Sequence, residues 1–162
     1  MVKIKEGKNK IEENMIVCLV GAEIEVPEEL TNDTKHIGTE FRKFLRHCNK
    51  NKINLYGKVQ YVPNEIWAVG MVNTMNNEKI VSCIDFKYIC SLFCIRDECN
   101  IIDEKAMKKG LTDVLYKAKS ISENVALYYI DDGNNLRFNV VHKVAEKIFG
   151  SSELCLTIYR IH

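Results

Sequence analysis

The six-residue run Met15-Ile16-Val17-Cys18-Leu19-Val20, which contains no polar side chain, limits the possible folds more than any other feature of this chain. Successive side chains of a strand point to opposite faces, so a half-buried strand shows a polar residue at every second position. An unbroken apolar run instead fits a strand buried on both faces, in a sheet covered by helices above and below. Gly21 ends the run. Asn124 to Ile130 (NVALYYI) has the same character and stops at Asp131-Asp132-Gly133-Asn134-Asn135. Both runs are expected as interior strands of one sheet.

The intervals between them carry helical signals. Asp103 can cap a helix whose apolar positions are Ala106, Met107, Leu111, Val114, Leu115 and Ala118. Asn139 can cap another, with a stripe of Val140/Val141, Val144/Ala145 and Ile148/Phe149 closed by Gly150. Phe41, Phe44, Leu45 and Cys48 also recur at helical spacing, after a polar loop from Glu23 to His36. Leu55–Val62 and Ile66–Val72 read as strands joined in a hairpin by Pro63-Asn64, and Leu154–Ile161 as the closing strand. Ile80 to Cys94 is ambiguous between strand and helix. The charged start frays or forms an edge strand, over residues 1–13. The whole is expected to be one α/β domain over residues 1–162, three layers (α/β/α) around a mixed, mostly parallel sheet.

Composition excludes several classes. With 46% hydrophobic residues, 28% charged, 2 prolines and 8 glycines, the chain is neither disordered nor fibrous. A net charge of +1 creates no global field for nucleic acid or an anionic membrane. No long apolar run follows the basic Met1–Lys10 stretch, so neither a secretory signal nor a membrane span is expected. The seven cysteines (Cys18, Cys48, Cys83, Cys90, Cys94, Cys99 and Cys155) are odd in number and irregularly spaced, and Cys83, Cys90, Cys94 and Cys99 lack C-x-x-C pairs and a nearby histidine. They read as reduced thiols in a reducing cytoplasm, with no zinc and no disulfide. Arg42, Lys43, Arg46, His47, Lys50 and Lys52 form either a solvated helix face or a surface for RNA or phosphates. Trp67 reads as core and His142 as surface.

The loop from Asp131 to Phe138 is the most informative place for chemistry. In open α/β sheets ligands gather beyond the carboxyl ends of strands, where helix N-termini offer free N–H groups and a favourable dipole to phosphate. Gly133, Asn134 and Asn135 allow a tight turn and close backbone approach. The same residues also suit a plain strand-to-helix connection.

From Gly57 onward the order of elements resembles the macrodomain family of ADP-ribose-binding modules, most of all its short phage and bacterial members. Gly57-Lys58-Val59-Gln60 resembles that family's Gly-Lys-Val strand opening. Trp67 to Thr74 (WAVGMVNT) looks like the next strand, which in the family ends beside the ligand and here brings in Asn73. Ile102-Asp103-Glu104-Lys105-Ala106-Met107, with Leu111, looks like the helix of the family's glutamate-Ala-Leu pattern, and Leu156-Thr157-Ile158-Tyr159 resembles the closing strand. Ile130, Gly133, Leu136 and Phe138 match the phosphate loop, while Asp131 and Asp132 stand where relatives carry a glycine and a small residue. His36-Ile37-Gly38-Thr39 can be laid on the glycine-bearing loop before the first helix, with Glu40 replacing the second glycine.

The resemblance implies a cleft between Asp131–Phe138 and Gly38–Thr39 that holds an ADP-ribose-like nucleotide and uses no cofactor. Gly38, Thr39, Asn73, Gly133, Asn134, Asn135, Leu136 and Phe138 would meet the ligand. Three readings follow. The first is a module that holds or sequesters the nucleotide. The second is a hydrolase removing ADP-ribose or a phosphate, with Asp131 or Asp132 as base. The third is a degenerate fold that binds RNA or protein through the Arg42–Lys52 surface.

Overall fold

In a computed structural model the chain is described over residues 1–7, 10–27, 30, 35–63 and 87–162, with residues 35–37 described by their backbone alone. Trp67, Asn73, Cys83, the strand Ile66–Val72, the far half of the Pro63-Asn64 turn and residues 80–86 lie outside the described residues.

Along the chain run β1 (Val2–Glu6), β2 (Met15–Val20), α1 (Lys35–Lys50), β3 (Val59–Pro63), β4 (Tyr88–Phe93), β5 (Ile95–Arg96), β6 (Ile101–Ile102), α2 (Glu104–Ile121), β7 (Val125–Ile130), α3 (Asn135–Phe149) and β8 (Leu156–Ile161). Six strands form one sheet in the order β1-β8-β7-β2-β4-β3. Every pairing is parallel except β3 with β4. Both apolar runs are interior, with Val17 of β2 lying between Cys90 of β4 and Leu127 of β7. The charged start supplies β1, an edge strand. The ambiguous segment resolves as a strand over Tyr88–Phe93.

Two-sided burial of β2 has a direct structural counterpart. Met15 and Val17 pack with Leu111, Val114, Val141 and Phe149 of α2 and α3. Ile16, Cys18 and Val20 face the other way, onto Phe41 of α1 and Phe93. Phe41 and Phe44 both stack on Phe93 at 5.5 Å between ring centroids, an arrangement that adds to area burial. The result is a three-layer sandwich with a mixed, mostly parallel sheet.

The helix starts show how local chemistry decides. Asp103 caps α2 as its spacing predicts, accepting from the Ala106 N–H at 3.0 Å. Asn139 does not cap α3. The helix begins at Asn135, and Asn134 is the cap, accepting from the Arg137 N–H at 3.1 Å. The apolar stripe starts later because the first turn carries one buried side chain, Phe138, beside the exposed Leu136. No described helix is long and apolar enough to cross a membrane.

Candidate ligand-binding cleft

Parallel β2 and β7 end side by side, and a cleft of about 210 Å³ opens beyond their carboxyl ends. Cys18 and Leu19 of β2, with Tyr128, Tyr129 and Ile130 of β7, form its floor. Asp132 and Arg137 close one side, Ile24, Glu25 and Pro27 another, and Ile95 and Asn100 a third. Small-molecule sites typically enclose roughly 300–1,000 Å³, so the described walls enclose less than the volume of a typical small-molecule site.

The loop leading to α3 spends much of its hydrogen-bonding capacity on itself. The Gly133 N–H donates to Asp131 Oδ1 at 2.9 Å, and the Asn134 N–H to Asp132 Oδ1 at 3.0 Å. Gly133 sits at φ +86°, a left-handed conformation that favours glycine, and a Cβ there would meet nothing within 4 Å. It is therefore needed for the turn, while the space beside it is open. The first-turn N–H groups of Asn135 and Leu136, which a helix leaves without an intrahelical partner, have no partner among the described residues.

The two acids differ. Asp131 is buried against Arg160, whose Nε donates to it at 2.7 Å. The Gly133 N–H, and then the Arg160 guanidinium, hold its carboxyl below the usual carboxylate range. A carboxylate bound in this way is a weak proton acceptor. Asp132 is exposed and lines the cleft.

Arg160 also organises the back of the loop. It donates to Asn135 Oδ1 at 3.1 Å and lies 3.9 Å above the Phe138 ring. Phe138 packs in turn on Tyr129 at 5.5 Å and His142 at 6.1 Å. Asn135 and Phe138 thus face Arg160, and neither lines the cleft. Gly38 ends the first turn of α1 and Thr39 follows it, so both lie within the helix rather than ahead of it, and neither lines the cleft. Arg42, one turn further on, reaches Glu25 in the cleft wall at 3.6 Å.

Opposite, the loop after β2 is held from a distance. Both the Ala22 and Glu23 N–H groups donate to the Asp97 carboxylate at 2.9 Å. Asp97 lies between β5 and β6, which bring it back over the end of β2.

Sequence reasoning missed Arg137, the tyrosines of the floor and Asp97. Arg137 stands between two matched positions, Leu136 and Phe138, where the sequence signal points to glycines and backbone donors rather than to a side-chain cation. Asp97 carries no local signal of its remote partners. Among the described residues no three His, Cys, Asp or Glu side chains come together as a metal site requires. Among the described residues the six cysteines form no disulfide.

No protein-family model matches the sequence, and a search of curated proteins finds no match. Solved structures do resemble it. A macrodomain protein from Streptomyces coelicolor is 14% identical with a TM-score of 0.66, covering 98% of each chain. The macrodomain of Mycobacterium tuberculosis DarG is 15% identical with a TM-score of 0.65, covering 98% of this chain and 97% of that one. Thermosipho africanus DarTG in complex with ADP-ribose is 14% identical with a TM-score of 0.58, covering 91% of this chain and 38% of that one. The chain has the macrodomain fold.

Proposed function

We propose that this macrodomain-fold chain binds an ADP-ribose-like nucleotide in the cleft beyond β2 and β7, and holds it rather than turning it over. One observation carries the reading: the cleft lies where two interior parallel strands end against the first turn of α3. That position suits a phosphate-bearing ligand in an open α/β sheet. Support comes also from the fold, since DarTG, similar in structure, is solved in complex with ADP-ribose.

In this reading Gly133 and Asn134 shape the loop, and Asn135 and Leu136 offer first-turn N–H groups to the phosphates. Phe138 supports the loop from beneath. Gly38 and Thr39 border the ligand from α1, with Asn73 as a further contact. The commitment of Asp131 to Arg160 favours holding over hydrolysis. Hydrolysis retains one argument, the exposed Asp132 carboxylate in the cleft.

Isothermal titration of the protein with ADP-ribose tests the reading. Saturable heat at one site per chain is the expected result, with no release of ADP-ribose from a modified protein substrate. Wild-type protein giving no heat with ADP-ribose would overturn it, and attention would move to the basic Arg42–Lys52 surface. Turnover that Asp132→Ala abolishes without weakening binding would replace holding by hydrolysis.

A further inference from the structure

We propose that Arg137 is the group with which the cleft recognises a phosphate of its ligand. This deepens the reading above and rests on it for the nucleotide, though not for the anion.

Arg137 lines the cleft and is half-buried. Its Nε is shielded from solvent and has no hydrogen-bond partner. Its Nη1 makes one long contact, 3.4 Å to the Tyr129 hydroxyl, and the guanidinium lies 5.5 Å from the Tyr129 ring centroid. The chain's other partly enclosed arginines are neutralised. Arg96 meets Asp103 at 2.6 Å and Arg160 meets Asp131 at 2.7 Å. Arg137 enters no ion pair among the described residues, although Asp132 lines the same cleft.

Two physical costs accumulate at this residue. Removing a guanidinium from water without a counter-charge is unfavourable. Arg137 also sits in the first turn of α3, at the positive end of the helix dipole, where a cation is disfavoured. No acidic residue stands in that first turn to offset it. A phosphate placed in the cleft relieves both, because the planar fork of arginine matches its oxygens in a bidentate contact. Tyr129 fixes the fork by packing beside it. If Arg137 served structure alone, its stem would pack on Tyr129 and the ligand's charge would not matter.

The test is calorimetric titration of wild type, Arg137→Gln and Arg137→Lys with ADP-ribose, adenosine and inorganic pyrophosphate at low and high salt. Arg137→Gln should weaken ADP-ribose binding roughly ten- to a hundredfold, the scale of charge-assisted hydrogen bonds. It should also flatten the salt dependence and leave adenosine binding unchanged, a split that loss of packing alone would not produce. Equal ADP-ribose affinity with the wild-type salt slope overturns the assignment, while the nucleotide reading stands. Pyrophosphate binding that depends on Arg137, in a protein that ignores ADP-ribose, upholds the assignment and overturns the nucleotide reading. Failure of wild type to bind any of the three ends both. Should Arg137→Gln not fold, Arg137→Lys decides: severalfold weaker ADP-ribose binding supports the assignment, and unchanged binding overturns it.

Discussion

The loops after β2 and β7 leave neighbouring strands at one edge of the sheet, yet they satisfy their backbone donors by different routes. After β2, the Ala22 and Glu23 N–H groups are held by Asp97, 75 and 74 residues further along the chain. After β7, Gly133 and Asn134 are held by Asp131 and Asp132, each two residues back. The first loop thus depends on the segment between β5 and β6 for two of its donors. The second carries its own acceptors two residues back, and one of these, Asp131, is itself anchored to Arg160 of β8. One wall of the cleft is therefore held by a remote carboxylate, and the other by carboxylates of its own loop with Arg160 behind them.

Glycine substitutions sharpen that contrast most. A Cβ at Gly21 would lie 2.6 Å from the Ile95 carbonyl oxygen and nearer still to the Asp97 carboxylate. The carbonyl belongs to the β5 backbone and cannot swing aside. Gly21→Ala should cost about 2–3 kcal/mol, the upper range for overpacking, measured by urea unfolding. Gly133→Ala meets no atom within 4 Å and suffers only its positive φ. It should cost about 1 kcal/mol in the same experiment. Equal losses at the two glycines would break the comparison.

A smaller effect separates the loops by pH. Asp131 titrates below its ordinary range because the Gly133 N–H and Arg160 favour its charged form. Its unfolded form binds the proton more readily, so stability rises with pH across that window. Asp131 therefore contributes stability above about pH 4 that is lost as the pH falls through its lower folded value. Asp103 and Glu123, held low chiefly by the Ala106 N–H and by Lys87 respectively, lose stability in the same direction. Asp131→Asn should leave a shallower acid limb in a pH series of thermal melts. An unchanged limb would mean that the β7 loop carries no charge-dependent share of stability.

How far these features were legible from residues alone depends on whether their causes are local. The double-sided burial of β2 and β7 is written in uninterrupted apolar runs, and the Asp103 cap in its spacing from the apolar positions of α2. The start of α3 was not legible. Asp131, Asp132, Asn134 and Asn135 can all cap a helix, and the choice among them is tied to where Phe138 and Arg160 meet. Of the loop Asp131–Phe138 that the sequence singles out, Asp132 and Arg137 line the cleft, whereas Arg137 and Asp97 act through partners that only folding brings near.

The cysteines of the two cores give the layers separate chemical clocks. Cys18 belongs to the core under α1, and Cys90 and Cys94 to the core under α2 and α3. Burial pushes the Cys90 and Cys94 thiols far up, away from the reactive thiolate. Cys99, exposed, and Cys155, half-buried, remain open to alkylation in the native state. Timed alkylation with site mapping by mass spectrometry therefore dates the opening of each layer on its own. It distinguishes a sheet that sheds α1 first from one that comes apart in a single step.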